Sequence, residues 1–133
     1  MTVKATSRPQ GERIVRTYRA EGGAIVEKFA VMQGTADDQA KVVTGANVAC
    51  VGIVAEGCGA PAAGDLISVV EFGETIAIAG ADLAPNLPVD VDSSGRVITA
   101  AAGDHHVIGF TRSTSVSAGD EILVFVCPSP KRS

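Results

Sequence analysis

Ala118-Gly119-Asp120-Glu121-Ile122-Leu123-Val124-Phe125-Val126 reads as a turn that launches an apolar strand, and the chain carries an earlier version at Ala63-Gly64-Asp65-Leu66-Ile67-Ser68-Val69-Val70. A third copy of the turn phrase stands at Ala102-Gly103-Asp104. Upstream of the two launches lies a second shared signature, Val51-Gly52-Ile53-Val54 and Ile108-Gly109-Phe110-Thr111, with Gly52 and Gly109 57 positions apart and Gly64 and Gly119 55 apart. Lys41-Val42-Val43-Thr44 also matches Arg96-Val97-Ile98-Thr99 at an offset of 55. One two-residue insertion and its compensation would relate these segments, so the chain reads as an internal duplication.

Composition agrees with short strands. Of 133 residues, 46% are hydrophobic but only 4% aromatic, with no Trp and one Tyr, so Val and Ala supply the apolar mass. Val packs well on a pleated surface, and Ala lets backbones approach closely. Apolar runs from Ile25 to Gln33, Lys41 to Val43, Cys50 to Val54, Asp65 to Phe72, Glu74 to Ala79, Val89 to Val91, Arg96 to Thr99, Val107 to Thr111 and Glu121 to Cys127 are all of strand length and divided by turn residues. The expected fold is all-β, a small β-barrel or β-sandwich (jelly-roll-like or β-tulip-like) built from two similar halves. Phe72-Gly73-Glu74 and Asp92-Ser93-Ser94-Gly95 read as hairpin turns, Gly80 to Pro88 as a crossing loop, and Asp37 to Ala40 as the one helical turn.

Charge divides the chain. Residues 1–19 carry Lys4, Arg8, Arg13, Arg16 and Arg19 against Glu12, a net of +4. Lys131 and Arg132 add +2 at the other end; with −4 overall, residues 20–130 hold −10. The expected organisation is an extended basic arm over 1–22, a β-domain over 23–127 and a tail over 128–133. A basic arm beside an acidic body calls for an anionic partner, but not for nucleic acid, which the acidic body would repel. Cys50, Cys58 and Cys127 lack metal-ligand spacing and read as free thiols in a reducing compartment. No apolar run is long enough to span a membrane, and the chain start lacks the apolar stretch of a signal peptide, so no membrane partner and synthesis in a cytoplasm are expected.

Catalytic patterns are not found. His105-His106 would point to opposite faces of a strand, and no G-x-S-x-G elbow, GxxxxGK[ST] or GxGxxG occurs. Asp37-Asp38, Asp90/Asp92 and Asp120-Glu121 are carboxylate pairs at turns, where capping of local backbone explains them. A biotin- or lipoate-carrier reading needs a lysine at a hairpin tip, and Phe72-Gly73-Glu74 has none. No enzyme activity, cofactor or metal is expected.

One resemblance covers about residues 23–127. The order Val89-Asp90-Val91-Asp92-Ser93-Ser94-Gly95-Arg96-Val97, Ala100-Ala101-Ala102-Gly103-Asp104, Ile108-Gly109-Phe110 and Ser117-Ala118-Gly119-Asp120 resembles the small capsid decoration, or cement, proteins of tailed bacteriophages. The first half gives a weaker version through Gly34-Thr35-Ala36-Asp37-Asp38, Gly52-Ile53-Val54 and Ala63-Gly64-Asp65. The resemblance implies a virion structural protein, made in the bacterial host cytoplasm, that binds the outer capsid surface and bridges major capsid protein subunits of the expanded head. Neighbouring copies of itself are implied partners, a trimer favoured over a dimer. The arm, longer than in the shortest members, is then expected to add a strand to a neighbour's sheet edge. Ile14, Tyr18 and Val15 would be its apolar anchors, and Arg8, Arg13, Arg16 and Arg19 would pair with acidic capsid surface. Deleting residues 1–19 is then expected to leave a folded body. The alternative is an adhesive or host-binding β-domain of a phage tail or fibre, against which the scarcity of aromatic stacking platforms counts.

Overall fold

A computed structural model describes residues 13–46, 48–100, 106–115 and 117–128. Among them are nine strands and no helix: β1 (Ile14–Ala20), β2 (Ala30–Gln33), β3 (Gln39–Val42), β4 (Gly52–Val54), β5 (Leu66–Ile78), β6 (Pro88–Val91), β7 (Val97–Thr99), β8 (Gly109–Thr111) and β9 (Glu121–Val126). The all-β expectation holds, and the form is the barrel. Strands β1-β3-β2-β4-β5 run in that order, and β1 pairs again with β5, closing a five-stranded barrel without a free edge. The order continues through β5-β9-β8-β6-β7, and a parallel bridge between Ala79 and Val97 brings β7 back to the end of β5.

The two halves repeat the hydrogen bonds of their strand-launching turns. Ala20 N–H donates to the Asp65 carbonyl and Ala79 N–H to that of Asp120, both at 2.8 Å; Gly64 N–H donates to Ala20 and Gly119 N–H to Ala79. Both launching glycines sit at positive φ, 89° and 95°, which explains why the turn phrase keeps a glycine. In each turn the Asp carboxylate closes the loop, Asp65 Oδ2 accepting from Ala62 N–H and Asp120 Oδ2 from Ser117 N–H, each at 2.9 Å. Gly52 and Gly109 share a different constraint: a Cβ on either would sit 2.1 Å from the carbonyl oxygen of the facing strand, at Val70 and Phe125. The copy at Ala102-Gly103-Asp104 lies outside the described residues.

Four expectations are corrected. Phe72-Gly73-Glu74 is no hairpin: β5 runs through it, with Gly73 at φ 113°. The chain has no reason to reverse there, because residues before Gly73 pair with β1 and β4 while those after it pair with β9. Asp37 to Ala40 is not helical but closes the β2–β3 hairpin, where the Gln33 side-chain amide donates to the carbonyls of Ala36, Asp37 and Gln39. The repeat offset is not 55 with a compensated insertion. Equivalent hydrogen-bonded pairs place Ala20 with Ala79, Val31 with Val89, Ala40 with Val97, Gly52 with Gly109 and Val70 with Phe125, so the offset falls stepwise from 59 to 55.

The fourth correction concerns the arm. Residues 14–20 are β1, a strand of the barrel: Ile14 to Arg19 pair antiparallel with β5, and Arg19 and Ala20 pair parallel with β3. In the second half the same place is taken by the end of β5 together with Ala79. Arg16 and Arg19 stand where that copy has Thr75 and Ile78, which is why β1 reads as a polar arm. A deletion of residues 1–19 would remove most of this strand, so the expectation of a folded body without them is replaced by the expectation of lost stability.

The core has two compartments. Tyr18, Ala20, Ile25, Val31, Ala40, Val54, Ile67 and Val69 fill the first barrel. Ala77, Ala79, Val89, Val91, Val97, Ile122, Val124 and Val126 fill the second half, and Ala30, Ile53 and Val70 join that cluster from the outer face of the first barrel. The methyl face of Thr75 to Ala79 therefore turns inward, with Ala77 and Ala79 buried. A polar clamp lies over the seam: Lys28, at φ 72°, receives the Ile78 N–H on its carbonyl at 3.1 Å and places its ammonium 2.6 Å from the Glu121 carboxylate. The hydrogen bond to Glu121 holds the Lys28 ammonium above its ordinary pKa.

Candidate interaction surface

β1 alternates by strand periodicity, so its outward side chains and its inward ones have different fates. Ile14 and Val15 are exposed at the strand start. Arg16 lies exposed with its guanidinium 5.2 Å from the centre of the Tyr18 ring. Arg13 donates to the Glu74 carbonyl at 3.4 Å and lies 3.9 Å from the Glu56 carboxylate. Arg19 reaches both the Asp38 carboxylate, at 3.6 Å, and the Gly64 carbonyl, at 3.1 Å. Arg13 and Arg19 thus tie β1 to its own barrel, whereas Arg16 stays on the outer side of the strand. Arg8 lies outside the described residues.

Tyr18 is corrected as an anchor, because it is inside its own barrel and 1% exposed. Its hydroxyl donates to the Glu71 carboxylate. Burial, followed by that hydrogen bond and the Glu71 charge, pushes the phenol up to about 12 from an ordinary 10.0. The folded state thus favours the protonated phenol. Stabilisation from it is complete below pH 10 and is lost as pH rises from 10 towards 12. Because this is the single tyrosine and there is no tryptophan, absorbance at 295 nm reports it alone. Titration of the folded chain near pH 12, moving to about 10 in denaturant, is the expected result; a folded-state midpoint near 10 would contradict the Tyr18–Glu71 assignment.

Elsewhere the titratable groups serve the loops. Asp92 Oδ1 accepts from Ser94 N–H at 2.9 Å and Arg96 N–H at 3.0 Å, which closes the β6–β7 hairpin with Gly95 at φ 87°. Glu21 receives Thr35 N–H at 2.6 Å, which lowers its carboxyl pKa. Cys50, Asp90 and His106 line a shallow crevice with Val48, Val107, Ile108 and Pro128. Burial, reinforced by the Asp90 charge, pushes the Cys50 thiol up to about 12, so it is a poor nucleophile at neutral pH. Among the described residues no three His, Cys, Asp or Glu side chains converge as a metal site. His105 lies outside the described residues.

No protein-family model and no curated protein sequence matches the chain. Its fold does have solved counterparts. The crystal structure of the N base of the head fiber gp8.5 in bacteriophage phi29 is similar over 92% of this chain and 98% of that one, with a TM-score of 0.64 and 15% sequence identity. The likeness establishes a shared fold.

The phenylalanines carry a signal for an interaction surface that the charge pattern does not. Of the four phenylalanines, Phe72, Phe110 and Phe125 gather on one outer face. Phe110 is paired directly with Phe125 across β8–β9, and Phe72 meets Phe125 edge to face at 5.2 Å. Ile14 pairs with Phe72, so one of the expected anchor residues belongs to this patch.

Proposed function

We propose that this chain is a structural, non-enzymatic protein of a tailed-phage virion that sits on the outer surface of the head and bridges major capsid protein subunits. The observation that carries the reading is the likeness in fold, over nearly the full length of both chains, to the N base of a phage head fiber. The order of turn motifs in the second half supports the same direction. Attachment uses the exposed start of β1, with Ile14, Val15 and Arg16, against acidic capsid surface. Many weak copies of such a contact on a fixed lattice give strong collective retention. A second reading is a base from which a fibre projects, favoured by the neighbour's description as the base of a head fiber.

The test is to add the purified full chain to expanded, undecorated heads and image them by electron cryomicroscopy. Regular density at positions between capsomers is the expected result. Bare heads, or protein found only at the tail, would overturn the head assignment in favour of the adhesive alternative. A heat challenge of decorated heads separates the two head readings: delayed release of packaged DNA supports bridging, whereas full occupancy without protection supports a fibre base.

A further inference from the structure

The duplication supplies a reference for every surface of the second half. In the first half, Ala30, Ile53 and Val70 stand in register across β2, β4 and β5, at 2%, 0% and 0% exposure. They are covered by the second half, whose Val89, Val91, Val124 and Val126 belong to the same cluster. The equivalent row of the second half is Pro88, Phe110 and Phe125, in register across β6, β8 and β9. Phe110 there is 43% exposed, Phe72 beside Phe125 is 45% exposed and Ile14 is 61% exposed. The row that closes an interface in one half is thus partly open in the other, with Phe110 exposed and Pro88 and Phe125 half-buried, and it carries larger side chains. An exposed apolar patch of this kind, on a molecule whose core is Val, Ile and Ala, is a general mark of an interaction site.

We propose that this face, Pro88, Phe110 and Phe125 with Phe72, is a self-association surface covered by the same face of a second copy related by a two-fold axis. Two observations select that occupant. The rim carries both signs, with Arg112 over the Phe125 ring at 5.1 Å and its Nε 3.8 Å from the Glu74 carboxylate of the same chain, so a two-fold brings together two locally neutral rims. A strongly acidic or basic partner would meet a mixed rim instead. The internal junction, moreover, cannot be copied head to tail. Where the cluster that buries this row holds Val91 and Val126, the equivalent positions of the first half are Gln33 and Glu71, polar groups engaged in capping the β2–β3 turn and holding Tyr18. Among the described residues the open row therefore does not find, on the first half of a next copy, an equivalent of the apolar receptor that buries Ala30, Ile53 and Val70.

The experiment is sedimentation velocity of the full chain from about 1 to 100 µM, a range spanning common protein affinities. Wild-type protein is expected to sediment as a dimer of the 13.5 kDa chain. Phe110→Ser with Phe125→Ser should weaken association by about a hundredfold, two central aromatics at roughly tenfold or more each. Circular dichroism confirms that the variant is folded. Leu66→Ser, at an apolar residue 65% exposed near the other end of β5, should leave the dimer intact. Arg112→Glu and Glu74→Arg should each weaken the dimer and together restore it. A wild type that is monomeric throughout, or association that survives the double phenylalanine substitution, would overturn the proposal; neither result depends on phage heads, so the capsid reading stands or falls separately.

Discussion

A chain beginning at Glu21 is expected not to fold. Removing β1 opens the first barrel along two seams: β5 loses its partner from Leu66 to Phe72, and β3 loses the parallel pair at Gln39 and Ala40. At roughly 1 kcal/mol net per backbone hydrogen bond, the six β1–β5 paired positions and the loss of a buried tyrosine worth about 2 kcal/mol sum to about 8 kcal/mol, within the ~5–15 kcal/mol that stabilises a typical domain. The loss also falls on the core, since Tyr18 and Ala20 are 1% and 2% exposed and pack on Ile25, Val31, Ile67 and Val69. Far-UV circular dichroism and amide dispersion in a proton–nitrogen NMR spectrum would check it. Adding a synthetic peptide of residues 13–22 in trans should restore dispersion, because the strand supplies its bonds wherever its covalent link lies. A truncated chain that unfolds cooperatively near the full-length melting temperature would refute the assignment of β1 to the barrel.

The parts of this fold that were legible in the sequence are those where backbone geometry dictates one residue type. Gly64 and Gly119 need positive φ, the Asp after each closes its turn, and Gly52 and Gly109 lie against a facing carbonyl, so all of them repeat visibly. The Asp92 to Gly95 hairpin is readable for the same reason. Strand identity is written only in an alternation of side chains, and there the two copies have diverged. In β1, Arg16 and Arg19 interrupt the apolar pattern, and the inward positions are left to Tyr18 and Ala20. Gly73 conveyed the wrong geometry, since a glycine between two strand-like runs fits a hairpin as well as an irregular step within one long strand. The interaction surface was half legible. Ile14 does lie on an exposed apolar face, but the phenylalanines beside it come from β5, β8 and β9, which only the topology brings together.

That topology makes equivalent residues of the two halves respond oppositely to truncation. Ile53 is fully buried where the outer face of the first barrel meets the second half, so Ile53→Ala should cost about 2–5 kcal/mol through lost burial and a cavity that the surrounding Val and Ala side chains cannot fill. Phe110 holds the same place in the repeat, one strand pairing from Phe125 as Ile53 is from Val70, yet it is 43% exposed. Its replacement by alanine should change the stability of the isolated chain by less than about 1 kcal/mol, although the residue removed is larger. Urea unfolding at low micromolar protein, with the slope m compared between variants, separates the two outcomes. At higher concentration the Phe110→Ala variant should lose whatever extra stability association gives the wild type, because a contact made only in the assembled state stabilises by mass action. Equal losses for the two variants in dilute solution would mean that the Phe110 row is already covered within the chain. A loss confined to Ile53→Ala would establish that one motif, duplicated, has been assigned to the interior in its first copy and to the surface in its second.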